Sequence, residues 1–216
     1  MAEFIDFFIH AEKHLVTFTQ NYGVWIYALL FAIIFCETGL VVTPFLPGDS
    51  LLFAVGALAA QGILDWKIIT PLLLGAAFIG DSVNYSIGKW FGPKVFQRES
   101  SRFLKKEYLI KAHNFYEKYG GRAIILARFV PILRTFAPFV AGVGSMNYPK
   151  FMLYNVAGAI VWICSFMGAG YFFGALPFVQ KNMKMVILGI IVVSVLPLVW
   201  EFIKHRMEKS QAAKVS

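Results

Sequence analysis

Long apolar runs, separated by short polar or proline-containing stretches, dominate the sequence. Four of these runs come close to the roughly 20 residues that a helix needs to span the hydrocarbon core of a bilayer. They cover residues 24–42, 68–91, 151–176 and 185–203. The pattern therefore predicts an all-α polytopic membrane protein in which these four runs are the spanning helices.

Two further apolar segments, 43–62 and 123–144, contain prolines that interrupt them. Proline removes a backbone donor and kinks or ends a helix. Backbone that is not helical is tolerated at membrane depth only where protein or a wet cavity surrounds it. We therefore expect each segment to be a re-entrant helical hairpin that turns back inside the membrane. The interrupting residues are Pro44, Pro47, Pro131 and Pro138.

Clusters of basic residues determine the predicted orientation. Nine of the 20 Lys and Arg residues fall between Lys89 and Arg122, and a smaller group follows Trp200. Such clusters favour the cytoplasmic side of a membrane. Three apolar segments separate the two clusters, so one of them, 123–144, must turn back if both clusters are cytoplasmic. With a cytoplasmic N-terminus the same argument makes 43–62 re-entrant, and both termini are predicted to be cytoplasmic.

The chain is accordingly divided into one membrane domain, 23–180, and its flanking segments. Within the domain, residues 93–121 are predicted to form a basic amphipathic helix at the membrane surface, because their apolar positions recur at helical spacing. This helix joins two halves, about 23–92 and 122–176. The flanking segments are an N-terminal interfacial helix over 1–22, a C-terminal spanning helix over 181–204 and a basic cytoplasmic tail over 205–216.

The two halves of the membrane domain resemble each other. Phe45-Leu-Pro47 corresponds to Phe129-Val-Pro131 at an offset of 84, and Gly88-Lys-Trp-Phe-Gly92 corresponds to Gly170-Tyr-Phe-Phe-Gly174 at an offset of 82. Because the halves are predicted to enter from opposite sides, they would be inverted repeats, an arrangement found in transporters. The alternative is a chance match of residues that are common in membrane helices. The four glycines are expected to allow close helix packing.

The composition excludes several classes of protein. Hydrophobic residues make up 58% of the chain and charged residues only 15%, whereas soluble chains carry about 25% charged residues. The net charge of +8 is explained by loops beside anionic lipid, so nucleic acid is not a predicted partner. Cys36 and Cys164 lie inside apolar runs and form no disulfide framework or CxxC motif. No catalytic motif stands out, so we predict no enzyme, no catalytic residue, no metal and no cofactor.

Five ionisable residues fall inside segments that we place at membrane depth. Each costs about 2.5–3.5 kcal/mol there, so pairing, water or a ligand must offset the cost. Glu37 and Asp49 are candidate proton-coupling residues. The alternatives are that Glu37 snorkels from a helix end to the interface, and that Asp49 only caps a helix starting at Ser50 or Leu51. The five residues are Glu37, Asp49, Asp81, Arg128 and Arg134.

The two arginines are the candidate ligands for an anion or a lipid headgroup. Arg128 and Arg134 lie in one broken segment, and a guanidinium group matches phosphate oxygens better than an ammonium group does. The alternative is that they only neutralise the two candidate proton-coupling acids across the repeat interface. Asp81 and Asn84, at positions i and i+3, share a helix face. They form either an additional polar site or a polar seam between helices.

Two segments resemble the paired signature motifs of the DedA family, the bacterial branch of the VTT (SNARE-associated) membrane proteins. The first is ETGLVVTPFLPGD at 37–49 and the second is RFVPILRTFAPFVAG at 128–142, with GDSVNYSIGKWFG at 80–92 between them. The similarity covers roughly residues 22–203, and on these motifs the chain is identified as a member of the family.

The resemblance implies an inner-membrane protein with two inverted re-entrant repeats and a role in envelope homeostasis. It also implies dependence on the proton motive force and, for some members, flipping of undecaprenyl phosphate or phospholipid. Carried over by position, the important acids would be Glu37 and Asp49, and the important bases Arg128 and Arg134.

The leading hypothesis is therefore a proton-coupled translocase for an anionic lipid carrier in the bacterial inner membrane. The alternatives are a proton-coupled antiporter of small cations or drugs and a membrane scaffold that transports nothing. A cation transporter would favour acids without paired arginines, so the two arginines favour an anion. Membrane lipids and protons are the predicted partners, and a homo-oligomer stays open.

Overall fold

The computed structural model describes residues 11–40, 48–95, 120–144, 146–174, 176–182, 185–190 and 192. Within these ranges the regular structure is entirely helical, which confirms the predicted all-α fold for this part of the chain. The helices are α1 (Ala11–Tyr22), α2 (Trp25–Gly39), α3 (Gly48–Ala60), α4 (Trp66–Val95), α5 (Arg122–Ala127), α6 (Pro131–Val143), α7 (Tyr148–Gly174) and α8 (Pro177–Lys181). Residues 185–190 are also helical.

In the described part of the chain, two helices are long and apolar enough to cross a membrane. They are α4, over Trp66–Phe91, and α7, over Tyr148–Gly174. The predicted spanning runs 68–91 and 151–176 are therefore confirmed as long apolar helices. The prediction for 24–42 was wrong in its length, because α2 ends at Gly39 and the next residue has extended backbone. With 15 residues, α2 is about 22 Å long and too short for a core of about 30 Å.

The two long helices are antiparallel. The ring of Trp66, at the start of α4, lies 5.1 Å from the ring of Tyr171 near the end of α7. At the opposite end, the ring of Tyr148 in the first turn of α7 lies 5.4 Å from the ring of Tyr85 in α4. These contacts define a Trp66 end and a Tyr148 end of the helix pair.

Each half of the domain packs its short helix on the long helix of the other half, so α3 lies on α7 and α6 lies on α4. In both pairs a glycine of each helix lies against a backbone carbonyl of the other, where an added Cβ would overlap the oxygen. The two sets are related by offsets of 86 in the short helices and 82 in the long ones, so the two pairs pack in equivalent ways. The contacts are Gly56 with Met167, Gly170 with Phe53, Gly142 with Tyr85, and Gly88 with Phe139.

The helix α2 runs from the Trp66 end to the middle of α4. Near its start, the Tyr27 hydroxyl accepts a hydrogen bond from the Asp65 N–H at 2.9 Å, just before α4 begins. Near its end, Gly39 lies against the backbone of Gly80. The helix α3 returns to the Trp66 end, where Ala57 contacts Gly174 of α7.

The second broken segment has its interruption at residues 128–130. Val130 has extended backbone, as expected for a residue before proline, and Pro131 is the first residue of α6. The prediction that Pro138 also breaks the chain was wrong, because α6 continues through it to Val143. Proline is tolerated inside membrane helices, and the turn before Pro138 is bound to α4 by the Asn84 amide, which donates to the Thr135 carbonyl at 2.8 Å.

The predicted flanking segments are only partly described. Helix α1 occupies the second half of the predicted interfacial segment, and its Leu15 is buried. Because α4 continues to Val95, the basic segment cannot begin a separate helix at residue 93. Of the predicted amphipathic helix, residues 96–119 lie outside the described residues, as do 1–10, 41–47 and all positions after 192.

Candidate functional site

The five ionisable residues predicted at membrane depth are brought together inside the protein. The end of α2, the first turn of α3, the break before α6 and the first turns of α6 meet against the middle of α4 and α7. In this order these four elements carry Glu37, Asp49, Arg128 and Arg134, and α4 carries Asp81. None of the five side chains belongs to a residue more than 5% exposed. All five charges are therefore enclosed by protein rather than by lipid or water.

Arg134 binds two carboxylates at once. Its Nη2 lies 2.5 Å from Glu37 Oε1 and its Nη1 lies 2.7 Å from Asp49 Oδ1. Glu37 Oε1 also accepts a hydrogen bond from the Gly48 N–H at 3.2 Å, which satisfies one of the free donors at the start of α3. Arg134, Glu37 and Asp49 are called the Arg134 group below.

These contacts correct both structural alternatives for the two acids. Glu37 is 1% exposed and held by Arg134, so it does not snorkel to an interface. The helix α3 begins at Gly48 rather than at Ser50 or Leu51, so Asp49 lies in its first turn instead of preceding it.

Arg128 has different partners. Its Nη2 forms an ion pair with Asp81 Oδ2 of α4 and lies 2.5 Å from Asn155 Oδ1 of α7. The Asn155 amide in turn donates to the Phe78 carbonyl at 3.4 Å. The hypothesis that Arg128 neutralises Glu37 and Asp49 was therefore wrong. In the part of the chain that the structure describes, Arg134 is the arginine that pairs with them. Arg128, Asp81 and Asn155 are called the Arg128 group below.

Trp162 of α7 contacts both groups. Its Nε1 donates to Asp49 Oδ1 at 2.8 Å. The central guanidinium carbon of Arg134 lies 4.8 Å from the centre of its ring, and that of Arg128 lies 5.8 Å away. Both distances are within the range of cation–π attraction, about 6 Å.

Asn84 forms the polar seam that the sequence left open as an alternative. Its Nδ2 donates to the Thr38 carbonyl at 3.2 Å and to the Thr135 carbonyl at 2.8 Å. Thr38 lies in the last turn of α2, where carbonyls lack a helical partner. Asn84 thus joins α2 and α6 to α4, whereas Asp81, three residues earlier, belongs to the Arg128 group.

Several buried polar atoms of the site have no hydrogen-bond partner within the described ranges. They include Nε and Nη1 of Arg128, Nε of Arg134, Oε2 of Glu37 and Oδ1 of Asp81. An unsatisfied buried donor or acceptor costs about 1–3 kcal/mol, and more when it is charged. The site therefore has donors that suit an oxyanion and carboxylate oxygens that suit a proton.

Sequence reasoning missed Asn155 and Trp162. They lie with Gly158 at positions i, i+3 and i+7 of α7, all buried on one face, and Gly158 lies against the side chain of Arg128. An amide seven residues before a tryptophan in an otherwise apolar run was the available signal. Of the four glycines predicted to allow close packing, Gly88 and Gly170 have the carbonyl contacts described above, and Gly174 lies against Ala57. The contacts of Gly92 lie outside the described residues.

Comparison with known proteins shows the family. A family model described as the VTT domain matches residues 46–172, more than half of the chain. The chain belongs to the VTT-domain family. Over 212 residues, 97% of each chain, it is 57% identical to protein DedA of Escherichia coli K12, so the predicted membership of the DedA family is confirmed.

More distant relatives of this VTT-domain protein are named as membrane proteins. An uncharacterized membrane protein of Mycobacterium leprae is 47% identical over 76% of this chain and 74% of its own. The inner membrane protein YqjA of Escherichia coli K12 is 35% identical over 72% of this chain and 71% of its own. No solved structure matches the chain. Together with the two long apolar helices, these matches identify a membrane protein, and they indicate no family of enzymes.

Proposed function

We propose that this VTT-domain protein is a transporter driven by the proton motive force that moves an anionic lipid carrier across the bacterial inner membrane. The cargo would be undecaprenyl phosphate or a phospholipid. The observation that carries the proposal is the buried pair of arginines, in which Nε of both residues and Nη1 of Arg128 have no partner among the described residues. Such donors match phosphate oxygens, and a buried group of this kind in a membrane is a marker of a substrate pathway.

The proposal includes two re-entrant hairpins, α2–α3 and α5–α6, that form inverted repeats. In support, α2 starts and α3 ends at the Trp66 end of the long helices. The helix α6 instead approaches the Tyr148 end, where the carbonyl of Met146 accepts a hydrogen bond from the Tyr85 hydroxyl. The equivalent glycine contacts of the two helix pairs support the same arrangement. The hairpins would enter from opposite surfaces and meet at the charged residues.

The orientation follows from the basic segment after α4, which we place in the cytoplasm. The Trp66 end then faces the outer side of the membrane, and the C-terminal tail lies in the cytoplasm if 181–204 crosses once. This arrangement does not support the predicted cytoplasmic N-terminus, because the start of α2 lies at the Trp66 end.

The charges of the site support coupling to protons. Three carboxyl groups face two guanidinium groups, so the site is neutral when one carboxyl group carries a proton. A bound phosphate monoanion adds one negative charge, and a second proton would restore neutrality at a site where an uncompensated charge is costly. Headgroup and proton would therefore move together. Because the proton motive force drives protons inward, the lipid phosphate would move towards the cytoplasmic leaflet.

Arg134 would be the residue that exchanges partners. A proton on Glu37 or Asp49 weakens that residue's hold on Arg134, whose guanidinium group is then available to the phosphate. Loss of the proton restores the ion pair and releases the headgroup. Arg128 would bind the phosphate in the same way, when a proton on Asp81 weakens the ion pair between the two residues.

A groove beside the site offers a place for the apolar tail. It is an open groove with a volume of about 550 Å³ along α4, from Phe78 to Trp90, and the Phe78 carbonyl also accepts the hydrogen bond from Asn155 of the Arg128 group. The hydroxyls of Ser82 and Ser86 donate to carbonyls of their own helix, which leaves the groove largely apolar. The tail could stay in lipid contact along this groove while only the headgroup enters the polar site.

A proton-coupled antiporter of small cations is the second candidate. The excess of acids over bases favours it, as do the unpartnered oxygens Glu37 Oε2 and Asp81 Oδ1 among the described residues. An antiporter would exchange protons for a cation in proteoliposomes to which no polyprenyl phosphate has been added. A membrane scaffold would transport neither.

The test is flipping of a fluorescent polyprenyl phosphate in proteoliposomes, with and without an imposed pH gradient. We expect the gradient to accelerate inward movement, and Glu37→Gln and Arg134→Ala to abolish the response. Lys150→Gln is the control, because Lys150 is exposed at the start of α7. Thermal unfolding of each variant separates loss of function from loss of fold, and Arg134→Lys provides a milder variant. Equal flipping by all variants, or no gradient response in the unaltered protein, would contradict the proposal.

A further inference from the structure

Trp162 is a large apolar side chain that lies among the paired charges. It is completely buried and is among the largest fully buried side chains of the described residues. Its neighbours, however, are carboxylate and guanidinium groups rather than apolar side chains only. An indole ring has one donor and no acceptor, so its orientation in such a place is specific.

The indole N–H fixes one carboxylate. Asp49 Oδ1 accepts hydrogen bonds from Trp162 Nε1 at 2.8 Å and from Arg134 Nη1 at 2.7 Å. The two donors come from different helices, α7 and α6. Together they hold the Asp49 carboxylate against the guanidinium group whose release the proposed mechanism requires.

The indole ring connects the two arginines. Both guanidinium carbons lie within 6 Å of its centre, although Arg134 and Arg128 pair with acids of different helices. The electron-rich face of the ring attracts cations, so the ring offsets part of the repulsion between two neighbouring positive charges. Trp162 is thus a side chain that both ion-pair groups share.

We propose that Trp162 is a positioning residue that makes the two arginines a single site for one phosphate headgroup. Its ring lies within cation–π distance of both guanidinium groups, and its N–H holds the Asp49 carboxylate that Arg134 binds. The inference rests on the proposed function, which supplies the phosphate ligand.

The test measures binding of farnesyl phosphate, a short-chain lipid phosphate, to the purified protein in nanodiscs by calorimetry. Trp162→Leu removes the ring and the donor, and we expect about thirtyfold weaker binding, the size of a desolvated cation–π contact. Trp162→Phe keeps an aromatic face and should bind within about threefold of the unaltered protein. Trp66→Phe is the matched control, because Trp66 contacts Tyr171 at the far end of α4.

A spectroscopic measurement separates positioning from packing. Farnesyl phosphate should change the tryptophan emission of the unaltered protein and of Trp66→Phe, and this change should be lost in Trp162→Phe. An indole ring that is remote from the bound headgroup would not respond to the ligand. Tight binding by Trp162→Leu, or an unchanged emission response in Trp162→Phe, would overturn the inference and leave the proposed function intact.

A measurement without ligand covers the case in which the unaltered protein does not bind farnesyl phosphate, which would contradict the proposed function instead. The melting temperatures of Trp162→Phe, Asp49→Ala and the double variant form a double-mutant cycle. Because the N–H contacts Asp49, we expect Trp162→Phe to cost less in the Asp49→Ala background. Additive shifts would overturn the role of the N–H in holding Asp49.

Discussion

Gly170→Ala should destabilise the contact between α3 and α7, whereas Gly168→Ala, two residues earlier in the same helix, should not. A Cβ at Gly170 would overlap the carbonyl oxygen of Phe53, and because the obstacle is backbone, a helix has to move. At Gly168 nothing lies within 4 Å of an added Cβ. The two substitutions are chemically identical, so any difference between them reports the helix contact.

The expected size follows from two opposing effects. Overpacking of a close contact costs about 1–3 kcal/mol, whereas replacing glycine by alanine in a helix gains about 0.5–1 kcal/mol. The net loss for Gly170→Ala is then up to about 2.5 kcal/mol, with a melting temperature lowered by up to about 10 °C for a chain of this size. Gly168→Ala should leave the melting temperature unchanged or raise it slightly. Thermal unfolding in detergent, followed by intrinsic fluorescence, measures both.

The other half of the domain supplies an independent repetition. Gly88 meets the carbonyl of Phe139 as Gly170 meets that of Phe53, and Gly75 of α4 has open space like Gly168. Gly88→Ala should therefore lower the melting temperature by a similar amount and Gly75→Ala should not. A similar shift in all four variants, or an effect in one half only, would refute the equivalence of the two helix pairs.

The remaining predictions concern topology and the charged site. In a background without native cysteines, a cysteine at Gln61 should react with an impermeant maleimide from outside the cell, and one at Lys150 only after permeabilisation; labelling from the same side would refute the inverted repeats. Gln61 is exposed in the connection between α3 and α4. Arg128→Lys should lower lipid-phosphate transport at least tenfold, because an ammonium group cannot reproduce paired N–H donors, while the melting temperature changes little. Full activity of the charge swap Glu37→Arg with Arg134→Glu would show that this ion pair is structural only.

The long helices and the identity of the charged residues could be predicted from the sequence. The helices α4 and α7 are continuous apolar runs, for which length and composition are sufficient signals. The charges stood out because each is costly inside a membrane. The offsets between similar motifs in the two halves also pointed to a repeat. The proline motifs are 84 residues apart, whereas the helix contacts relate Phe53 to Phe139 at an offset of 86.

The partners of the charges could not be predicted in the same way. Arg128 and Arg134 are six residues apart, so the direction of each depends on where the helix breaks. The break at 128–130 places Arg128 before α6 and Arg134 in its first turns, and they therefore reach acids of different helices. The hydrogen bond from Asn84 to the Thr135 carbonyl of α6 likewise joins residues that are distant in sequence. Contacts of this kind are fixed by tertiary packing and leave no local pattern.

The distribution of the charges between the halves indicates how movement and chemistry would be linked. All three acids come from the first half of the domain, and both arginines come from the second. Each of these ion pairs therefore joins the two halves. In the proposed mechanism, rocking of one half against the other has to separate opposite charges inside the protein. Breaking a buried pair without compensation costs about 3–5 kcal/mol. Two chemical species can supply the compensation: protons for the acids of the first half and a phosphate for the arginines of the second. Because both are needed before the halves can separate, neither a proton nor a lipid headgroup would cross alone, and this requirement is the physical basis of the proposed coupling.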